Sequence, residues 1–267
     1  MSTTNVALTL NGTTLAAAVP EALVVSVRRG LVGKRRHSRV EIPGRAGAWT
    51  FAEEPGDRTI EIDLDLLGID FEARREAVRE LAYWCDIGAP AKLVIEDEPD
   101  RFHLVLLDDA PDVNEWLLRG AVALRFTADP YAYLTAATVR NFTATTNPDN
   151  ESFSIPDRVS ADPVVVLGAV GGNVTAFTLT VNGYVLSWAG SISAGTSLTI
   201  SSISDTVSVG PSGDVELTGA FNVNDLDMAD VSGQFPILLE GSNAWALSWT
   251  GSATSVSISF TWRERTR

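Results

Sequence analysis

The clearest periodicity in the chain is TIEIDLDLLG at residues 59–68, where Ile60, Ile62, Leu64 and Leu66 alternate with Glu61, Asp63 and Asp65. A period of two puts the aliphatic set on one side of an extended strand and the carboxylates on the other, so the spacing predicts a half-buried strand. The pattern then changes. Phe71, Val78, Leu81, Ala82 and Cys85 recur at three, four and seven, with Arg74, Arg75 and Arg79 opposite, which predicts a helix running from Asp70, its N-cap, to about Asp86. VALTLNG near the N-terminus predicts a strand closed by an Asn-Gly turn, and AKLVIED, RFHLVLLDD and NEWLLRGAVALRFTA predict three more. The first half reads as mostly antiparallel sheet with one packed helix.

Beyond residue 135 the runs are shorter and the turn signals denser. PVVVLGA, AFTLTVNGYVLSW, TSLTISSI, TVSVG, PILLEGSNAWALSWT and SVSISFTW follow one another at the roughly 10- to 12-residue spacing of a β-sandwich or jelly roll. Hairpin turns are expected at Asn182-Gly183, Pro211-Ser212-Gly213 and Gly241-Ser242-Asn243. Residues 141–162 are polar and contain prolines, so they read as the linker and the first turns of the second domain. The predicted fold is mainly β: an N-terminal antiparallel β domain (1–137) with helix 70–86, then a C-terminal β-sandwich, galectin-like or jelly roll (138–267). No fixed-period repeat is visible, which excludes propellers and solenoids.

Composition sharpens this division. The chain has 267 residues, comfortable for two cores, and only five of its 20 Lys and Arg residues lie beyond residue 135. The formal net charge of -14 argues against a nucleic-acid footprint, which needs clustered cations to neutralise phosphates. One basic run, RRGLVGKRRHSR at 28–39, reads either as a contact for an acidic partner or phosphate, or as a solvated hairpin with local charge balance. A single cysteine, Cys85, cannot form an intrachain disulfide and suits assembly in a reducing cytoplasm. The N-terminus lacks the pattern of a signal peptide. The longest apolar stretch, LAAAVPEALVVSV, is broken by Pro20 and Glu21 well short of a membrane span.

Candidate chemistry is sparse. Two histidines and one cysteine cannot assemble a zinc ligand set, and NVNDLDMAD at 222–230 misses the spacing of a calcium loop and reads as a polar connection. No metal or cofactor site is expected. GAVGG at 168–172 lacks the spacing of a dinucleotide loop, and no Gly-x-Ser-x-Gly elbow is present. Glu61, Asp63 and Asp65 read as the wet side of one strand rather than a glycosidase pair, so no enzymatic activity is expected. Of seven tryptophans, Trp188, Trp245, Trp249 and Trp262 lie in the second half, where they serve either core packing or a stacking platform for a sugar ring.

Two local elements carry a family resemblance. RVEIPGRAG places Pro43, Gly44, Arg45 and Gly47 early in the chain, and LRFTADPYAY places Phe126, Asp129, Pro130 and Tyr131 at the end of the first half. This pairing, with FPILLEGSNAWALSWTGSATSVSISFTWRER at the C-terminus, resembles the distal tail protein family of long-tailed (siphovirus) phages. The resemblance implies a structural virion protein at the distal end of the tail, assembled in the host cytoplasm. It implies a homo-hexameric ring that joins the tail tube protein to the tail-tip or baseplate protein and leaves a channel for DNA, with at most a weak host glycan contact. The eight residues named above would then be structural or interface positions. Pro43 and Gly44 would turn the chain so that Arg45 bridges to a carboxylate or carbonyl, while Asp129, Pro130 and Tyr131 would end the last strand and lead into the linker. A free carbohydrate-binding sandwich protein, or another tube or tip component, is the alternative reading.

Overall fold

The computed structural model describes residues 6–41, 43–44, 46–67, 71–108, 113–115, 120–156, 159–203, 206–210 and 231–266. The chain divides into two compact units between Tyr133 and Leu134. The N-terminal unit contains β1 (Leu8–Leu10), β2 (Thr13–Thr14), a one-turn α1 (Leu15–Ala18), β3 (Ala22–Arg29), β4 (Arg35–Glu41), β5 (Ala48–Pro55) and β6 (Arg58–Leu66). It continues with α2 (Phe71–Cys85), β7 (Ala91–Ile95), β8 (Arg101–Leu107), β9 (Val113–Glu115) and β10 (Gly120–Leu134). Its main sheet runs in the order β2-β1-β7-β8-β10-β6-β3, with β9 also on β10, while β4 and β5 pair only with each other.

The alternation of β6 does what its pattern predicts. Ile60, Ile62, Leu64 and Leu66 are buried, and the same face of β10 supplies Val122, Leu124, Phe126 and Ala128. The antiparallel register sets Leu124 opposite Ile62 and Phe126 opposite Ile60, so large side chains of adjacent strands share one face. Each such side chain removed from water contributes about 1.5–3 kcal/mol. On the other face Asp63 accepts from Ser26 Oγ (2.7 Å) and from Arg28 Nη2, and Glu61 lies 3.6 Å from the same guanidinium. The carboxylate row is thus a solvated, partly charge-balanced surface.

Helix α2 forms, but its buried stripe is rotated from the one expected. Arg74, Ala77, Leu81, Trp84 and Cys85 face inward, whereas Phe71 is 54% exposed and Ala82 lies outside. Two observations account for the shift. The indole of Trp84 donates to the Thr13 carbonyl at 3.1 Å, and Arg74, only 3% exposed, lays its aliphatic stem over Gly120, where a Cβ would meet its Cδ at 3.5 Å. Phe71 is instead covered by the Arg75 guanidinium, 4.7 Å above its ring. Asp70, the expected cap, lies outside the described residues.

The C-terminal unit is a sandwich of two five-stranded sheets. One consists of β11 (Thr138–Ala144), β20 (Ser255–Trp262), β13 (Val164–Val170), β16 (Ser197–Ser201) and β17 (Thr206–Gly210), in that order. The other runs β12 (Asp149–Ile155), β19 (Gly241–Gly251), β14 (Val174–Val181), β15 (Tyr184–Ile192) and β18 (Val231–Gly233). Residues 141–162 are therefore not a linker: half of them, 141–144 and 149–155, belong to the edge strands β11 and β12. The polar composition misled because an edge strand keeps one face and one rim in water. Only Phe142 and Ala144, and Phe153 and Ile155, turn inward, and they do so at the strand period of two.

Aromatic rings fill this core. Phe142, Phe153, Trp245, Phe260 and Trp262 form a chain of ring contacts with centroids 5.2–6.2 Å apart, the range in which offset and tilted ring pairs attract. The turn at Asn182-Gly183 is as predicted, with φ of 52° and 87°, the pair of positive angles that a tight two-residue hairpin requires. Gly241-Ser242-Asn243 is not a hairpin turn: Gly241 opens β19, and Asn243 is fully buried. Its amide donates to the carbonyls of Leu239 and Gly241 and its Oδ1 accepts from Leu239 N and Asn182 Nδ2. Burial without cost requires that full set of partners. Pro211-Ser212-Gly213 lies outside the described residues.

Candidate interaction surfaces

The first predicted element sits at the tip of the β4–β5 hairpin. Register pairs run from Arg35 opposite Pro55 to Glu41 opposite Ala48, with one irregularity after Ser38. Pro43 and Gly44 form a turn beyond Glu41. Gly44 (φ 84°) and Gly47 (φ 82°) occupy the left-handed region, which side-chain-bearing residues adopt only at a cost. All three are exposed, and Arg45 lies outside the described residues. The hairpin is a sheet of its own, and a lone two-stranded ribbon is marginal in water unless something packs on it. Its basic strand carries exposed Arg35, Arg36 and His37, so part of the basic run is set on an outward-facing element.

The second predicted element is in β10. Phe126 is fully buried in the core of the N-terminal unit. Asp129, Pro130 and Tyr131 do not end the strand, which continues to Leu134. Pairing with β6 stops at Ala128 opposite Arg58, so Pro130 falls past that ladder, where its missing N–H removes no bond to β6. Tyr133 Oη donates to the Asp129 carboxylate at 2.8 Å, and the Tyr133 ring stacks on Phe102 with centroids 5.5 Å apart. The two predicted elements therefore occupy different places in the fold, a hairpin tip and the end of a long strand.

Reactive chemistry is restrained. Burial pushes the Cys85 thiol up to about 12, which keeps it protonated and poorly nucleophilic at neutral pH. His103 is buried with no hydrogen-bond partner on Nδ1. Burial, then the Arg29 and Arg58 guanidiniums, push it down to about 4, with Asp97 opposing. Near it, Arg29 pairs with Asp97 and, at 3.1 Å, with Glu98. Among the described residues no group of three or more His, Cys, Asp or Glu is arranged to hold a metal ion, and Asn222–Asp230 lie outside them. No helix among the described residues is long and apolar enough to cross a membrane. Trp188, Trp245, Trp249 and Trp262 are all buried, as the packing reading of these tryptophans expects, and Trp188 and Trp249 also line a groove of about 380 Å³ with Phe177.

Residues 23–117 match the phage tail protein RIFT-related domain, the stretch that contains β3 to β9 and the hairpin. Over nearly all of both chains, 98% of this one and 99% of the other, the structure is similar to the crystal structure of the Dit protein of phage SPP1, with a TM-score of 0.71 at 16% identity. Its fold is that of a phage distal tail protein. A chain of the activated phage p2 baseplate with Sr is also similar, with a TM-score of 0.50 at 10% identity, covering 98% of each chain. No curated protein sequence matches the chain.

Proposed function

We propose that this protein is a distal tail adaptor: a homo-hexameric ring at the distal end of the virion tail, joining the tail tube protein to the tail-tip or baseplate protein. The observation that carries this reading is the similarity to SPP1 Dit, a protein described as a paradigm of the hub adsorption apparatus, along almost the entire length of both chains. A ring closes through head-to-tail contacts between two different sides of each subunit. The β4–β5 hairpin, unpaired with the main sheet, supports such contacts because it gains stability by packing on a neighbour. In this reading Pro43, Gly44 and Gly47 shape the hairpin tip and Arg45 forms a forked bond to a carboxylate or carbonyl there. Asp129, Pro130 and Tyr131 are packing positions at the end of β10. The net charge of -14 suits a channel through which DNA slides without sticking. The ring works by position, not by catalysis, and assembles in the host cytoplasm.

Light scattering and negative-stain imaging of the purified protein across concentration test the proposal. Rings of six with a central hole, single or face to face in pairs, are expected. A monomer at every concentration would count against it, and long stacked tubes would point to a tube protein instead. Arg45→Ala is expected to weaken ring assembly; unchanged assembly together with unchanged thermal stability would remove that arginine from the interface.

A further inference from the structure

The N-terminal unit carries an apolar knob on a pinned loop. Leu31 and Val32, between β3 and β4, are 88% and 59% exposed, the first more than any other large apolar side chain among the described residues. Such exposure is ordinary on a floppy loop, but this one is tied at both ends and at the Leu31 carbonyl. Gly30 N donates to the Thr59 carbonyl, Lys34 N to that of Asp57, and Gly56 N to that of Lys34, while Arg58 Nη2 donates to the Leu31 carbonyl at 2.8 Å. The two chain segments touch so closely that a Cβ on Gly33 would sit 1.9 Å from the Gly56 oxygen. The fold holds two aliphatic side chains in water on a preorganised support, which lowers the ordering cost of binding. Lys34 and Arg36 stand beside them, both exposed.

The same unit carries a groove of complementary character. It is an open depression of about 300 Å³, with Leu10, Ala18, Trp84 and Ile87 among its lining residues and Glu80 and Asp86 contributing carboxylates. Tyr83, 75% exposed, forms one wall. The groove is as rigid as the knob: Trp84 is fixed to the Thr13 carbonyl, and Asn11 Oδ1 accepts from Lys92 N at 2.9 Å. Its volume is at the lower end of the range for clefts that take a ligand, large enough for a leucine with a neighbouring chain segment.

Their placement decides who can fill the groove. The knob follows Arg29, whose guanidinium is tied to Asp97 and Glu98 just after β7. The groove is bounded by Asp86, Ile87 and Asn11, just before β7 begins. Knob and groove thus lie at opposite ends of one strand, and a pinned knob cannot reach the groove of its own chain. We propose that Leu31 and Val32 of one copy seat in the groove of the next, with Lys34 facing Glu80 and Asp86, as a head-to-tail contact of the ring. Apolar side chains leave water, cation meets carboxylate, and the two patches differ, which is the condition for a contact that propagates and closes. This rests on the ring reading above.

Two experiments on the full-length protein separate the contact from the ring. Leu31→Cys combined with Tyr83→Cys, mildly oxidised, is expected to give a ladder of covalent oligomers on a non-reducing gel. Each single variant should stop at dimer, because buried Cys85 does not compete. A ladder absent from the double variant overturns the contact. Leu31→Asp is expected to raise the concentration needed for assembly by more than about tenfold with unchanged thermal unfolding, since Leu31 touches little in the monomer. If Leu31→Asp forms rings as the parent does, the knob is not at the interface and the ring reading stands. If the parent itself never assembles, both fall.

Discussion

The two halves of this chain are both antiparallel β structures with a continuous buried core, yet they treat their surfaces in opposite ways. Among the described residues, every large apolar side chain more than half exposed belongs to the N-terminal unit: Val25, Leu31, Val32, Phe71 and Tyr83. That unit also holds the unattached hairpin, and its outer charges sit in exposed pairs such as Arg28 with Asp63. The C-terminal unit turns its aromatics inward and satisfies its buried asparagine internally. The sandwich also exposes Val139, Val170, Val185, Ile203 and Leu239, but none by more than half, so the difference is one of degree. In the ring proposed above, the contrast gives the first unit the larger share of the contacts.

Calorimetry offers the most direct way to break the comparison. If the units are independent, Phe260→Ala, which empties a fully buried site in the sandwich, should cost about 3–5 kcal/mol and lower only one of two unfolding transitions. Leu64→Ala, equally buried in the other unit, should cost about 2–5 kcal/mol and lower only the other. A single transition moved by both substitutions would show that the units unfold together.

Acid should distinguish the halves next, because both histidines, His37 and His103, lie in the first. His103 is held down to about 4 by burial, against an ordinary value of 6.5. Between those values the unfolded chain binds a proton that the folded unit refuses. The stabilisation is therefore complete above pH 6.5 and lost as pH falls toward 4, on the order of 3 kcal/mol in all. Thermal melts stepped from pH 7 to 5 should lower the N-terminal transition more than the C-terminal one. His103→Gln should remove the excess; equal acid shifts in parent and variant would contradict the assignment.

Smaller effects sharpen the picture. Asn243→Ala strips four hydrogen bonds from a fully buried position and should cost about 1–3 kcal/mol in the sandwich alone, measured by denaturant titration. Arg28→Ala removes an exposed pairing with Glu61 and Asp63 and should change stability by less than about 1 kcal/mol. A larger loss would mean that the carboxylate row is a structural feature of the N-terminal unit rather than a solvated surface.

Local pattern alone determined a good part of this protein. The alternation in β6, the Asn182-Gly183 turn and the mainly β class were all legible, because a period of two and a positive-φ turn are properties of a few adjacent residues. The distal-tail resemblance was legible too, from short segments around Pro43 and Asp129. Tertiary structure decided what adjacent residues cannot express. The phase of α2 depended on Thr13 waiting for the Trp84 indole and on Gly120 leaving room for the Arg74 stem. Residues 141–144 and 149–155 became parts of edge strands because β20 and β19 were there to pair with them. Pro130 stayed within a strand because the β6 ladder had already ended. The knob at Leu31 and the groove beside Tyr83 left no periodic trace, since each is assembled from segments far apart in the chain, joined by hydrogen bonds and packing that exist only after folding.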